Sequence, residues 1–226
     1  MKNTAPAIKI DSLAVRYGEL RVIDCFDLQV ARGERVIMTG PSGSGKSTVL
    51  KCIMGLAIPR EGSISILGHT LDGRRVWEAR RSLAYVGQEP DLGSGTTREA
   101  IERPFGYRAN QGLRENLQRL PALLERFNLP QTLLDKEIPT LSGGEKQRMA
   151  LVSAILLDRP IILLDEASSA LDQDNRRAMA DYFRQTADIT VLSVAHDVGW
   201  LAFSDRVVEM AANPDVAGKD EDERAG

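Results

Sequence analysis

The 226-residue chain is 42% hydrophobic and 27% charged, the balance of an ordinary globular protein with enough apolar material for a sizeable core. Its formal net charge of −3 argues against nucleic acid as the main partner, since proteins that grip a phosphate backbone carry net basicity or a basic stripe. Cys25 and Cys52 are the two cysteines, in no metal-like spacing, and read as ordinary reduced thiols.

Met1 to Ile10 lack the apolar block of a leader. No apolar run approaches the roughly 18 to 20 residues that span a bilayer, so any membrane part is expected from another chain. Ile8-Lys9-Ile10 and Leu13-Ala14-Val15 are short apolar segments before the Tyr17-Gly18 turn, and Phe26 to Val30 alternates like a half-buried strand. After a turn at Ala31 to Glu34, Arg35-Val36-Ile37-Met38-Thr39 predicts a buried strand that runs straight into a glycine-rich loop. Lys46 to Leu56 is helical by pattern, and Gly62 to Leu67 alternates as a strand. From about 91 to 158 the character changes. Leu113, Leu117, Leu120 and Leu124 stand at helical spacing, and Pro104, Pro121, Pro130 and Pro139 punctuate short helices. Beyond this helical lobe, Ile161 to Leu164 and Ile189 to Val194 are the branched apolar runs of strands covered on both faces. Residues 212 to 226, with Asp220 to Glu223 in succession, read as an acidic solvated tail. The expected fold is α/β: a P-loop NTPase core with a mostly parallel sheet, an N-terminal antiparallel β portion and an inserted helical lobe.

Three motifs carry chemistry. Gly40-Pro41-Ser42-Gly43-Ser44-Gly45-Lys46-Ser47-Thr48 fits the P-loop, in its proper place between strand and helix. Its glycines let consecutive N–H groups converge on phosphate oxygens, and the following helix aims its positive end at the same anion. Lys46 suits the β- and γ-phosphates, and the Ser47 hydroxyl suits Mg²⁺. A dinucleotide fingerprint fails, because Gly43 and Gly45 are followed by Thr48 rather than a third glycine.

Leu141-Ser142-Gly143-Gly144-Glu145 precedes a helix with Met149, Val152, Ile155 and Leu156 at helical spacing. Ser142 and Glu145 make a capping box, and the two bare glycines leave that helix end open to phosphate. Two phosphate-binding helix ends in one chain make sense when two chains face each other head to tail. In Ile161-Ile162-Leu163-Leu164-Asp165-Glu166, an apolar strand ends in two acids. Asp165 is placed to hold Mg²⁺ or its water, and Glu166 to orient and deprotonate an attacking water. Gln88 and His196 are polar residues at strand ends, where α/β ligands collect.

The order P-loop, Gln88, Leu141 to Glu145, Asp165-Glu166, Ser169-Ala170-Leu171-Asp172 and His196 resembles an ABC-type ATPase domain over almost the whole chain. The resemblance implies one ATPase domain over residues 6 to 211 that binds ATP and Mg²⁺. In that family Tyr17 would stack on adenine, and Gln88 would join the metal site while sensing the γ-phosphate and a membrane partner. His196 would hold the γ-phosphate and the attacking water. Ser142, Gly143, Gly144, Glu145 and Asp172 would act on ATP held by the opposite subunit of a homodimer. The implied setting is peripheral, on the cytoplasmic face of the cell membrane beneath an integral membrane permease. Glu145 stands where glutamine is usual and Gly87 precedes Gln88; neither removes a needed donor. Lys136 to Thr140 lack the glycine-flanked acidic motif of exporters fused to their membrane domain. Leu123 to Pro130 and the short length are similar to the ATPase of a small bacterial exporter linked to iron homeostasis. The alternative is a cytosolic ABC protein working without a membrane. Import or export and the cargo are not legible.

Overall fold

In the computed structural model, residues 5–195 and 204–211 are described; His196 and the acidic tail lie outside them. The alternating first thirty residues make a hairpin, β1 (Ile8–Tyr17) antiparallel to β2 (Leu20–Val30), with Ile8 opposite Val30 and Tyr17 opposite Leu20. The two short segments expected in β1 are one strand, bent where Ser12 takes φ 47° and the register shifts between Ile10 and Leu13. A bulge of this kind bends a strand without ending it. Arg35–Thr39 is the expected strand β3. The hairpin is extended by β4 (Glu61–Ile66) and β5 (His69–Thr70) into a four-stranded antiparallel sheet of order β2-β1-β4-β5.

The second sheet is parallel throughout. Its order is β6 (Leu83–Val86), β7 (Ile161–Asp165), β8 (Thr190–Val194), β3 and β9 (Arg206–Glu209). All five residues of β7 are buried, as its unbroken apolar run requires of a strand covered on both faces. Alternate residues feed two cores. Val36, Met38, Ile161 and Leu163 pack toward the antiparallel sheet and α1 (Lys46–Ile53), and Ile37, Ile162 and Leu164 pack toward the helical lobe. The helix expected to reach Leu56 stops three residues sooner, where Gly55 turns the chain at φ 65°. Cys52, in that helix, is buried and its thiol is pushed up to about 11 by burial, while Cys25 is exposed; both are free.

After α2 (Val76–Arg80) and β6, the lobe begins with α3 (Thr97–Glu102), whose N-cap Thr96 forms a capping box with Glu99. The leucine-spaced stretch is not one α-helix. Arg108–Arg119 is 3₁₀, and α4 (Leu120–Arg126) starts afresh with Pro121 in its first turn. A proline has no N–H to continue the ladder back to Leu117, so the α pattern restarts at the proline. Pro104 and Pro139 likewise open single 3₁₀ turns, and Pro130 caps another. The lobe closes with α5 (Gly143–Leu156), and α6 (Gln173–Gln185) flanks the parallel sheet. Among the described residues, no helix is long and apolar enough to cross a membrane.

Candidate nucleotide site

β3 ends at Thr39, α1 begins at Lys46, and the loop between them must reverse while keeping its N–H groups free of side chains. Two of its glycines are required sterically. A Cβ on Gly40, at φ 142°, would lie 2.4 Å from the Met210 carbonyl oxygen, and one on Gly45, at φ 94°, would lie 2.7 Å from Ile23 Cγ1. Gly45→Ala is therefore expected to lower stability by about 1–3 kcal/mol. The same change should abolish binding of a fluorescent ATP analogue; a thermal melt and a titration check the two effects.

Lys46 is 5% exposed, and its ammonium donates to the carbonyl oxygens of Gly40 at 2.9 Å and Pro41 at 2.7 Å, and to Ser44 Oγ at 3.4 Å. Burial holds its pKa below the ordinary lysine value, an effect offset in part by the charges of Glu166 and Asp165. A buried cation folded over its own loop's oxygens is a ready receptor for an anion. Beside it, Ser47 Oγ donates to Asp165 Oδ1 at 3.0 Å, joining the first turn of α1 to the end of β7. Glu166 follows at φ 51°, a conformation few non-glycine residues take, and its N–H donates to Val194 O at 3.0 Å. The turn swings Glu166 over the loop: a 310 Å³ cleft is lined by Ser42, Lys46, Ser47, Thr48, Gln88 and Glu166, among others. The structure thus gathers the P-loop, Gln88 and Glu166 into one cleft, with Asp165 hydrogen-bonded at its edge.

The Leu141 to Glu145 motif lies elsewhere. Ser142 Oγ accepts from the Glu145 N–H at 3.3 Å and the Glu145 carboxylate accepts from the Ser142 N–H at 2.7 Å, which is the expected capping box at the start of α5. The Ser142 N–H first, then the Ser142 hydroxyl, holds the Glu145 carboxyl below the usual range. A Cβ on Gly143 would meet nothing within 4 Å, whereas one on Gly144 would lie 3.0 Å from the Ala170 carbonyl oxygen, so this helix end is open on the Gly143 side. Gly143 lines a second, 630 Å³ cleft with Lys146, Gln147, Ser169 and Ala170; Gln88 borders both clefts. Asp172 caps α6, accepting from the Asn175 N–H at 2.8 Å and Asn175 Nδ2 at 2.9 Å. Tyr17, 52% exposed at the β1–β2 turn, is not brought into the P-loop cleft; Val22 of β2 lines it instead.

Two residues escaped the sequence reading. Gln147, 2% exposed, donates through Nε2 to Gly87 O at 3.1 Å and ties α5 to the segment carrying Gln88. Tyr85 donates through its hydroxyl to Asp165 Oδ2 at 3.3 Å. Burial first, then the neighbouring Asp165, pushes the Tyr85 hydroxyl up to about 12. A polar residue in the helix after a capping box was the only sequence signal for Gln147; for Tyr85 it was a strand that ends beside Gln88.

A family model described as ABC transporter matches residues 23–169. The chain is 35% identical over 215 residues to the energy-coupling factor transporter ATP-binding protein EcfA1 of Bacillus subtilis (strain 168), across 92% of this chain and 76% of that protein. It is 31% identical over 217 residues to the probable iron export ATP-binding protein FetA of Escherichia coli (strain K12), across 93% of each. Among solved structures, it resembles the dimeric post-hydrolysis state of the ATP-binding cassette MJ0796 bound to ADP and Pi. That likeness has a TM-score of 0.74 at 28% identity, over 90% of this chain and 94% of the other.

Proposed function

Because the chain belongs to the ABC transporter family and is one of its ATPases, we propose that it powers transport through an integral membrane permease supplied by another chain. The observation that carries this reading is the division of motifs between two clefts. The P-loop cleft holds Lys46 and Glu166, and the open end of α5 borders the other. Each would be completed by the opposite motif of a second copy, so that closure of a homodimer on ATP, and its release after hydrolysis, makes the power stroke. The solved cassette that the chain resembles is itself a dimer. The working unit is the single domain over residues 6 to 211.

Within each site, the loop N–H groups and Lys46 receive the phosphates. The hard oxygens of Ser47 and Asp165, 3.0 Å apart, fit Mg²⁺, with Gln88 on the border of the same cleft. Among the described residues no cluster of three His, Cys, Asp or Glu could cage a metal alone, so phosphate oxygens would complete the shell. When bound, Mg²⁺ neutralises charge on the phosphates. Glu166 takes the proton of an in-line water, and Lys46 stabilises the charge spreading over the γ-phosphoryl oxygens. His196 is assigned to the same γ-phosphate and water. Tyr17 is assigned to adenine, and Ser142 to Glu145 with Asp172 to the partner's ATP.

The permease would dock in the 650 Å³ groove between the parallel sheet and the lobe, lined by Lys51, Tyr85, Gln88, Leu92 and Leu157 among others. Gln88 stands where this groove meets the P-loop cleft, so a contact made with the γ-phosphate is felt at the docking surface. The placement is peripheral, on the cytoplasmic face of the membrane. The cargo we assign is iron, outward, supported by the similarity to FetA and by Leu123 to Pro130. In cells with and without the candidate permease, the chain is expected to sediment with membranes only when the permease is present, and to be stripped by urea or carbonate. Iron content should rise when either is deleted. A fully soluble, active protein with no membrane partner would favour the cytosolic alternative.

A further inference from the structure

Tyr85 belongs to none of the motifs above, yet its hydroxyl completes the surroundings of Asp165. Asp165 is 7% exposed, and each of its carboxylate oxygens accepts a hydrogen bond from a different element. Ser47 Oγ of α1 donates to Oδ1 at 3.0 Å and the Tyr85 hydroxyl of β6 donates to Oδ2 at 3.3 Å. In the sheet Tyr85 pairs with Leu163, two residues before Asp165, so its ring leans along β7 to make this contact. The ring stays 42% exposed because its other side forms a wall of the groove between sheet and lobe.

An aspartate carboxylate, carried on Cβ, can turn about its Cβ–Cγ bond unless both oxygens are held, and partners of this kind fix the orientation in which a ligand meets its metal. We propose that Tyr85 is a positioning residue that fixes Asp165 for the metal accompanying ATP, a role that rests on the reading of Ser47 and Asp165 as the metal site. A tyrosine that merely packs at the edge of the sheet would place its ring here with no need of the hydroxyl.

The test is a Mn²⁺ titration in the presence of ADP, followed by electron paramagnetic resonance, on the full chain and on Tyr85→Phe, Tyr85→Met and Asp165→Asn. Loss of the hydroxyl in either Tyr85 variant is expected to weaken Mn²⁺ binding about five- to tenfold. Binding of fluorescent ATP in EDTA should be unchanged, and hydrolysis should recover at high metal concentration. If Tyr85→Phe binds Mn²⁺ as the parent does while Asp165→Asn loses it, the Tyr85 role is overturned and the metal site stands. If only Tyr85→Met weakens binding, the ring and not the hydroxyl matters, which also overturns the proposal. If Asp165→Asn keeps its Mn²⁺, the metal site itself is misplaced and the proposal falls with it.

Discussion

Glu166→Gln is expected to bind ATP as tightly as the parent and to hydrolyse it at least about a hundredfold more slowly, the typical worth of a general base. The amide keeps the size of the side chain and the φ of 51° that swings residue 166 over the P-loop, so the thermal melt should not move. It removes only the group that accepts the proton. ATP should then hold the two copies together, and gel filtration with ATP should show a dimer that the parent forms only in passing. Turnover near the parent rate would take Glu166 out of the mechanism.

The second large effect concerns sites shared between copies. Lys46→Ala leaves a buried phosphate site without its cation and is expected to weaken ATP binding by about a hundredfold or more. Ser142→Arg should leave binding in the monomer nearly intact, since Ser142 lies outside the P-loop cleft, and should block closure by filling the open end of α5. Neither variant alone should form an ATP-dependent dimer. Mixed, they build heterodimers with one good site and one doubly broken site, and crosslinking with ATP should return in the mixture alone. If Ser142→Arg abolishes binding by the isolated monomer, the motif acts within its own chain and the sandwich fails.

The parts most legible in the sequence were those where one local rule decides the conformation. Gly40 to Thr48 follows the P-loop pattern, Ser142 and Glu145 have the spacing of a reciprocal cap, and Ile161 to Leu164 is an unbroken apolar run; the structure has the loop between strand and helix, the two capping hydrogen bonds and the fully buried strand. What escaped was set by distant contact. The pairing of Tyr85 with Asp165 joins residues 80 apart and that of Gln147 with Gly87 joins residues 60 apart, and neither pair has a spacing rule. Strand β9 was missed because four residues with a mostly exposed pattern carry little periodicity. Arg108 to Arg119 is 3₁₀ rather than α-helical, which its leucine spacing did not announce, whereas the break at Pro121 is the one expected from the proline.

The position of β3 governs the order in which the molecule can be built. This strand anchors the P-loop, yet its two hydrogen-bonded neighbours are β8 and β9, near the other end of the chain. The Arg35 N–H finds its acceptor on Asp205, 170 residues later, and the Met210 carbonyl packs against Gly40. During synthesis, Val36-Ile37-Met38 therefore leaves the ribosome long before anything can pair with it. Contacts this remote in sequence make folding slow and leave an apolar strand open to association meanwhile. Nucleotide capture should be the last property the nascent chain acquires, after β9 has docked, and ribosome-bound chains halted before residue 205 should bind no ATP.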